Sequence, residues 1–121
     1  MNRLKILLVE DEDLIRMLLS EAMSDVGITP SLAASGEEAL DVLSRNDPFD
    51  LLITDIQLLG PVDGLDIARA ARGKAPGMPI IFTTGQPDRM AHWKSGASDL
   101  LIPKPYRPSD IIAGIQKMTN T

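Results

Sequence analysis

The 121-residue sequence contains no cysteine. That excludes a disulfide, a thiolate nucleophile and a zinc–thiolate site. Its one histidine, His92, excludes a metal centre built from several imidazoles. Basic residues are too few for a nucleic-acid partner: 12 Lys and Arg stand against 17 Asp and Glu, a net charge of −5. A phosphate backbone calls for the opposite balance. The apolar run 4–9 is interrupted by Lys5 and stopped by Glu10. It is too short for a signal or membrane segment, so no membrane association is expected and a soluble, cytoplasmic protein is. A Gly-rich phosphate loop of the G-x-x-x-x-G-K type is also missing, so a nucleotide is not expected. No linker, low-complexity tract or internal repeat divides the chain. One domain over residues 1–121 is therefore expected, with no separate output domain.

What is present is a globular composition, 44% hydrophobic, and a repeating order of elements. Lys5-Ile6-Leu7-Leu8-Val9 reads as a first strand and ends in Glu10-Asp11-Glu12-Asp13. Leu14, Ile15, Leu18, Leu19, Ala22, Met23 and Val26 then recur at helical spacing, and Gly27 closes that helix. A short second strand is expected over 28–33, followed by a helix that Ser35 and Glu38 open as a capping box. Asp50-Leu51-Leu52-Ile53-Thr54-Asp55 is apolar on both faces, as a strand buried in a parallel sheet is. A third helix starts at Gly64, with Leu65, Ala68 and Ala71 inward. Pro79 to Thr84 is a fourth strand, and 86–95 a short, weak helix starting near Pro87. Leu100-Leu101-Ile102 is a fifth strand, and Ile111, Ile112, Ile115 and Met118 form the inward face of a last helix.

Strand and helix thus alternate five times. Such a pattern predicts an α/β fold, a doubly wound five-stranded parallel sheet with helices on both faces. Eight units would be needed for a barrel, so the flavodoxin-like strand order 2-1-3-4-5 is the expected one. In such sheets the chemistry sits at the carboxyl ends of the strands. Those ends deliver Glu10 and Asp11, Asp55, Thr84 and Lys104. Taken singly, each has a plainer reading. Asp55 fits a helix cap or turn, Glu10 a first-turn acid, Thr84 a strand residue satisfied by backbone, and Lys104 a surface lysine. For Glu12 and Asp13 the first-turn reading is the better one. Together, three carboxylates repel unless a cation joins them, and hard oxygen ligands suit Mg²⁺. A carboxylate nucleophile can form an aspartyl-phosphate, which an ammonium and a hydroxyl would help to stabilise.

Leu7-Leu8-Val9-Glu10-Asp11-Glu12, Asp50 to Asp55, Asp63-Gly64-Leu65, Pro79 to Gly85, Gly96-Ala97 and Lys104-Pro105-Tyr106 occur in one order and spacing. In that arrangement the chain resembles response-regulator receiver domains over essentially its full length. The resemblance implies a two-component phosphorelay receiver. Asp55 would accept a phosphoryl group from a histidine kinase or phosphotransfer protein. Asp11 would bind Mg²⁺ directly with Glu10 in support, and Asp55 and the Gln57 backbone carbonyl would complete the protein ligands. Thr84 and Lys104 would bind phosphoryl oxygens, and the Lys104-Pro105 bond would be cis. The output would pass through the fourth helix, fifth strand and fifth helix to a target the sequence does not name. The motifs around Pro61 and Pro103 resemble receivers of hybrid histidine kinases or those coded alone. Such a domain promotes only its own phosphorylation and dephosphorylation and is not otherwise an enzyme.

Three departures from the family pattern stand out. Leu59 occupies the usual proline position after the acceptor, and Asp63-Gly64 comes one residue late. The stretch 84–96 is about a helical turn short, and its Trp93 is expected to pack against the domain. The fifth strand has Leu100 and Leu101 where receivers usually carry a Tyr or Phe. Any conformational response is therefore expected to be small, or to use Tyr106 or the 86–95 segment. Two other classes are open: a small Mg²⁺-dependent phosphohydrolase working through an aspartyl-phosphate, and a degenerate receiver acting only as a binding module. The first would want a second acid–base group near Asp55, and Gln57 offers none.

Overall fold

The three central apolar segments become strands buried on both faces, and the two edge strands are only partly covered. The computed structural model describes residues 3–119. Its strands are β1 (Ile6–Val9), β2 (Ser31–Ala33), β3 (Leu51–Asp55), β4 (Ile80–Thr84) and β5 (Asp99–Pro103). They form one parallel sheet in the order β2-β1-β3-β4-β5, as the alternation predicts. The register sets Val9 beside Thr54, Asp55 beside Thr83, and Thr84 beside Pro103. The strands therefore end nearly level, and their exits share one edge.

Four α-helices cover the sheet: α1 (Asp13–Asp25), α2 (Gly36–Arg45), α3 (Gly64–Lys74) and α4 (Pro108–Thr119). Alternate residues of each strand feed opposite layers. Leu7, Val9, Leu52, Ile80 and Phe82 pack with Ala39 and Leu43 of α2 and with Ile67, Ala68 and Ala71 of α3. Ile6, Leu8, Leu51, Ile53 and Ile81 pack with Leu19 and Met23 of α1 and with Ile111 and Ile115 of α4. No helix among the described residues is long and apolar enough to cross a membrane.

Local signals account for several helix ends. Ser35 accepts a hydrogen bond from the Glu38 amide at 3.1 Å, as its position predicts. The complete reciprocal box lies elsewhere: Asp63 and Asp66 each accept from the other's amide at the start of α3. Gly27 follows α1 at φ +83°, the left-handed conformation glycine allows. Asp13 sits in the first turn of α1 and pairs with Arg16, as the acid-rich start suggests.

Three expectations differ from the structure in detail. The short, weak helix expected over 86–95 does start at Pro87, but it is reduced to a single 3₁₀ turn, Pro87–Met90. Backbone bonds carry the turn as far as Trp93, and side chains hold the chain after it. Asp99 accepts from the Trp93 indole at 3.2 Å and from the Gly96 amide at 3.0 Å, and pairs with Arg72 at 2.5 Å. Trp93 does pack inward, edge-on to Phe82 at 5.3 Å, with the Arg69 guanidinium over its ring.

The inward face of α1 is also narrower than its periodicity predicts. Leu19 and Met23 are buried, whereas Leu14, Leu18 and Val26 are exposed, at 62%, 44% and 50%. Helix α3 corrects in the other direction: Ile67 is fully buried and Leu65 only partly. Neighbouring leucines on α1 should thus respond very differently. Leu19→Ala is expected to cost about 3 kcal/mol of unfolding free energy, and Leu18→Ser to stay within about 0.5 kcal/mol. Urea titrations of both variants would check this; equal losses would contradict the assigned face.

Candidate functional site

Four strand exits place the candidate residues. Glu10 follows β1, Asp55 ends β3, Thr84 ends β4 and Lys104 follows β5. Main-chain bonds lock the outer exits, with the Glu10 amide on the Ala33 carbonyl and the Lys104 amide on the Thr84 carbonyl at 2.8 Å. Lys104-Pro105 is cis, as expected. Glu10, Asp55 and Thr84 are buried, with relative exposures of 2%, 4% and 0%. Six expected residues, Glu10, Asp11, Asp55, Gln57, Thr84 and Lys104, therefore lie on or next to one edge of the sheet.

Glu10, Asp11 and Asp55 each present a carboxylate oxygen, and these three atoms lie within 4.8 Å of one another. Lys104 Nζ donates to Asp55 Oδ2 at 2.5 Å. Asp55 Oδ1 is buried and has no hydrogen-bond partner among the described residues. Buried carboxylate oxygens are normally satisfied, so this atom is left open to a further partner. Glu10 Oε2 accepts from the Glu12 amide at 3.0 Å, and Arg16 caps the Glu10 carbonyl at 2.7 Å.

Burial is the main electrostatic fact of the cluster. It pushes the Glu10 carboxyl up to about 7, with the Asp55 charge adding to the effect against the Glu12 amide bond. Burial also raises the Asp55 carboxyl above its usual range, despite the opposing hydrogen bond and charge of Lys104. For Lys104 burial works against the charge, but the Asp55 carboxylate outweighs it and holds the ammonium above its ordinary value. Burial likewise raises Tyr106, whose hydroxyl is buried with no partner among the described residues.

Two contacts had no local signal in the sequence. Asp11 Oδ2 accepts from the Leu59 amide at 2.9 Å, which ties the lengthened loop after β3 to the acidic cluster. Gly60 turns that loop at φ +93°. Gly64 then docks against the end of β3, its amide donating to the Ile56 carbonyl at 2.9 Å. The second contact joins Thr84 to Gln57: the Thr84 hydroxyl donates to Gln57 Oε1 at 2.8 Å and accepts from the Gln86 amide at 2.9 Å. Leu101 stands opposite Phe82 in the ladder and packs into the same layer as Trp93 and Leu65. No aromatic ring occupies that strand.

The set can bind a hard cation through carboxylate oxygens, present a free carboxylate oxygen, and offer an ammonium and a hydroxyl beside it. Comparison with known proteins places this chemistry. The model of the response regulator receiver domain matches residues 6–116. The response regulator MprA of Mycobacterium tuberculosis is 32% identical over 117 residues, covering 94% of this chain and 50% of MprA. The chain thus spans about half the length of the curated relatives it matches. A response regulator receiver protein from Sinorhizobium medicae superposes with a TM-score of 0.89 at 26% identity, covering 99% of this chain and 97% of that one. The receiver domain of the hybrid histidine kinase CckA gives 0.80 at 29% identity, with 95% and 98% covered. Receivers of this kind bind Mg²⁺ at an acidic pocket, and the Glu10-Asp11-Asp55 group fits such an ion by donor type, by spacing and by the open Asp55 Oδ1. The chain belongs to the response regulator receiver family, the phosphorelay receivers of two-component signalling.

Proposed function

We propose that this chain accepts a phosphoryl group on Asp55 from a histidine kinase or phosphotransfer protein. The observation that carries the reading is the division of labour on one carboxylate. Asp55 Oδ2 is held by Lys104, while Oδ1 is buried and unpaired at the strand end. Oδ1 is the nucleophile. As it bonds to phosphorus, the phosphorus–nitrogen bond of the donor's phosphohistidine breaks, and the imidazole leaves with the electron pair.

Asp11, Asp55 and the Gln57 backbone carbonyl would hold Mg²⁺, with Glu10 in support. When bound, the ion neutralises charge developing on the transferred oxygens. Lys104 orients Asp55 before the reaction and pairs with a phosphoryl oxygen after it. The Thr84 hydroxyl, which now donates to Gln57 Oε1, would donate to another. The added group brings roughly two negative charges to a buried edge, which shifts the population of the adjoining loops. With leucine at the aromatic position and Trp93 clamped by Asp99, that response runs through the 86–98 segment. The domain promotes its own phosphorylation and dephosphorylation and turns over no other substrate. A kinase of the hybrid type fits as donor, given the likeness to the CckA receiver. The reading places the chain in the cytoplasm, where such donors present phosphohistidine.

The test is intact mass after incubation with a small phosphodonor and Mg²⁺. Wild type is expected to gain one phosphoryl group and Asp55→Asn none. Equal labelling of the two, or none of either, would overturn the assignment. Continuous turnover of small phosphomonoesters would point instead to a phosphohydrolase.

A further inference from the structure

We propose that the Gln57 carboxamide is a latch on Thr84, holding the hydroxyl proton until a phosphoryl oxygen competes for it. The inference rests on the phosphoryl-accepting reading and adds a positioning residue to it. A threonine hydroxyl has one proton and two lone pairs. In Thr84 the proton goes to Gln57 Oε1 at 2.8 Å, and the Gln86 amide takes a lone pair at 2.9 Å. Thr84 is fully buried. Its only donor is therefore already committed, and it cannot serve a phosphoryl oxygen until the Gln57 bond breaks.

The latch is not a fully satisfied contact. Gln57 Nε2 is buried and has no acceptor among the described residues. A buried, unpaired amide donor is costly, so the bond that fixes this carboxamide also maintains a strained polar arrangement. Gln57 lies two residues beyond Asp55, while Gln86 lies two beyond Thr84. The same hydroxyl thus joins the exit loop of the acceptor strand to the start of the 86–98 segment. Redirecting its hydrogen bond to a phosphoryl oxygen, with the O–H bond intact, frees the first contact and allows the hydroxyl to turn away from the second.

The experiment is calorimetric titration of the full chain with beryllium fluoride, a phosphoryl mimic, in the presence of Mg²⁺. Gln57→Met keeps the side-chain length and removes the acceptor. It is expected to bind the mimic about fivefold more tightly than wild type, the equivalent of one neutral hydrogen bond no longer in competition. Gln57→Leu should do the same if methionine packs poorly. Thr84→Ala should bind more weakly than wild type, and Gln57→Met should add nothing to it. A gain of the same size in the Thr84→Ala background would overturn the latch, because the effect would not pass through the hydroxyl. So would unchanged or weaker binding by both Gln57 variants. Failure of wild type itself to bind the mimic would overturn the phosphoryl reading, a result distinct from either.

Discussion

Lys104→Met is expected to abolish detectable phosphoryl labelling and to destabilise the Mg²⁺-free protein by about 3 kcal/mol above neutral pH. The ammonium pairs with Asp55 at 2.5 Å and also supports the charge of Glu10. Without it, two buried carboxylates face each other uncompensated. Removing one partner of a buried pair costs more than the pair contributes, because the remaining charge has lost its solvation. The figure sits at the low end of that range because the Lys104 side chain is 27% exposed.

The pH dependence follows from the sign of the shifts. Glu10 is raised from 4.5 to about 7, and Asp55 is raised from 3.8. An acid whose folded value lies above its unfolded value binds protons more strongly in the fold. Its contribution is neutral below the unfolded value, and stability falls as pH rises towards the folded one. Wild type without metal should therefore lose stability between about pH 4.5 and 7. In Lys104→Met both carboxyls rise further, so the loss continues to higher pH and the gap between the proteins widens. Added Mg²⁺ binds the ionised cluster and should narrow that gap. Melting curves across pH, with chelator and then with Mg²⁺, give the measurement. A variant that melts with wild type at every pH would show that Lys104 does not compensate the cluster.

Gly64→Ala is the second large effect. A Cβ at this position would lie 2.2 Å from the Asp55 carbonyl oxygen and 2.8 Å from Ile56 Cα. Both are backbone atoms, so no rotamer change relieves the clash. Either α3 must lift from the end of β3 or the strand must move, and the Asp55 side chain moves with it. A loss of about 3 kcal/mol or more is expected, together with a marked fall in phosphoryl labelling. Gly73 offers a control within the same helix. An added Cβ there meets nothing within 4 Å, so Gly73→Ala should stabilise by about 0.5–1 kcal/mol. Denaturant titrations should show the two changes with opposite signs. A mild Gly64→Ala would mean that the β3–α3 junction has slack the geometry does not reveal.

The sheet and the placement of Asp55 were legible in the sequence for one reason. Strands of a covered parallel sheet are apolar throughout, so an abrupt polar residue marks where a strand leaves the core. Leu51 to Asp55 and Ile80 to Thr84 follow that rule residue by residue. The α1 face was less legible. A helix can carry more apolar residues than its neighbours cover, and periodicity does not say which ones α4 and the sheet reach. Leu19 and Met23 are reached; Leu14 and Leu18 are not.

The weak 86–95 helix shows the limit from the other side. Its composition disfavours a long helix but does not reveal that Asp99, several residues on, supplies the hydrogen bonds that fix the segment. The same holds at the site. The sequence by itself determined which residue types leave the strands, and hence that carboxylates, a hydroxyl and an ammonium meet at one edge. Only the tertiary structure decided their pairing: Lys104 on one oxygen of Asp55 with the other free, Asp11 on the Leu59 amide, and Thr84 on Gln57. Burial is written in local pattern because it repeats with the period of the element. A hydrogen bond between side chains 27 or 49 residues apart is not, because the crossovers between them set its geometry.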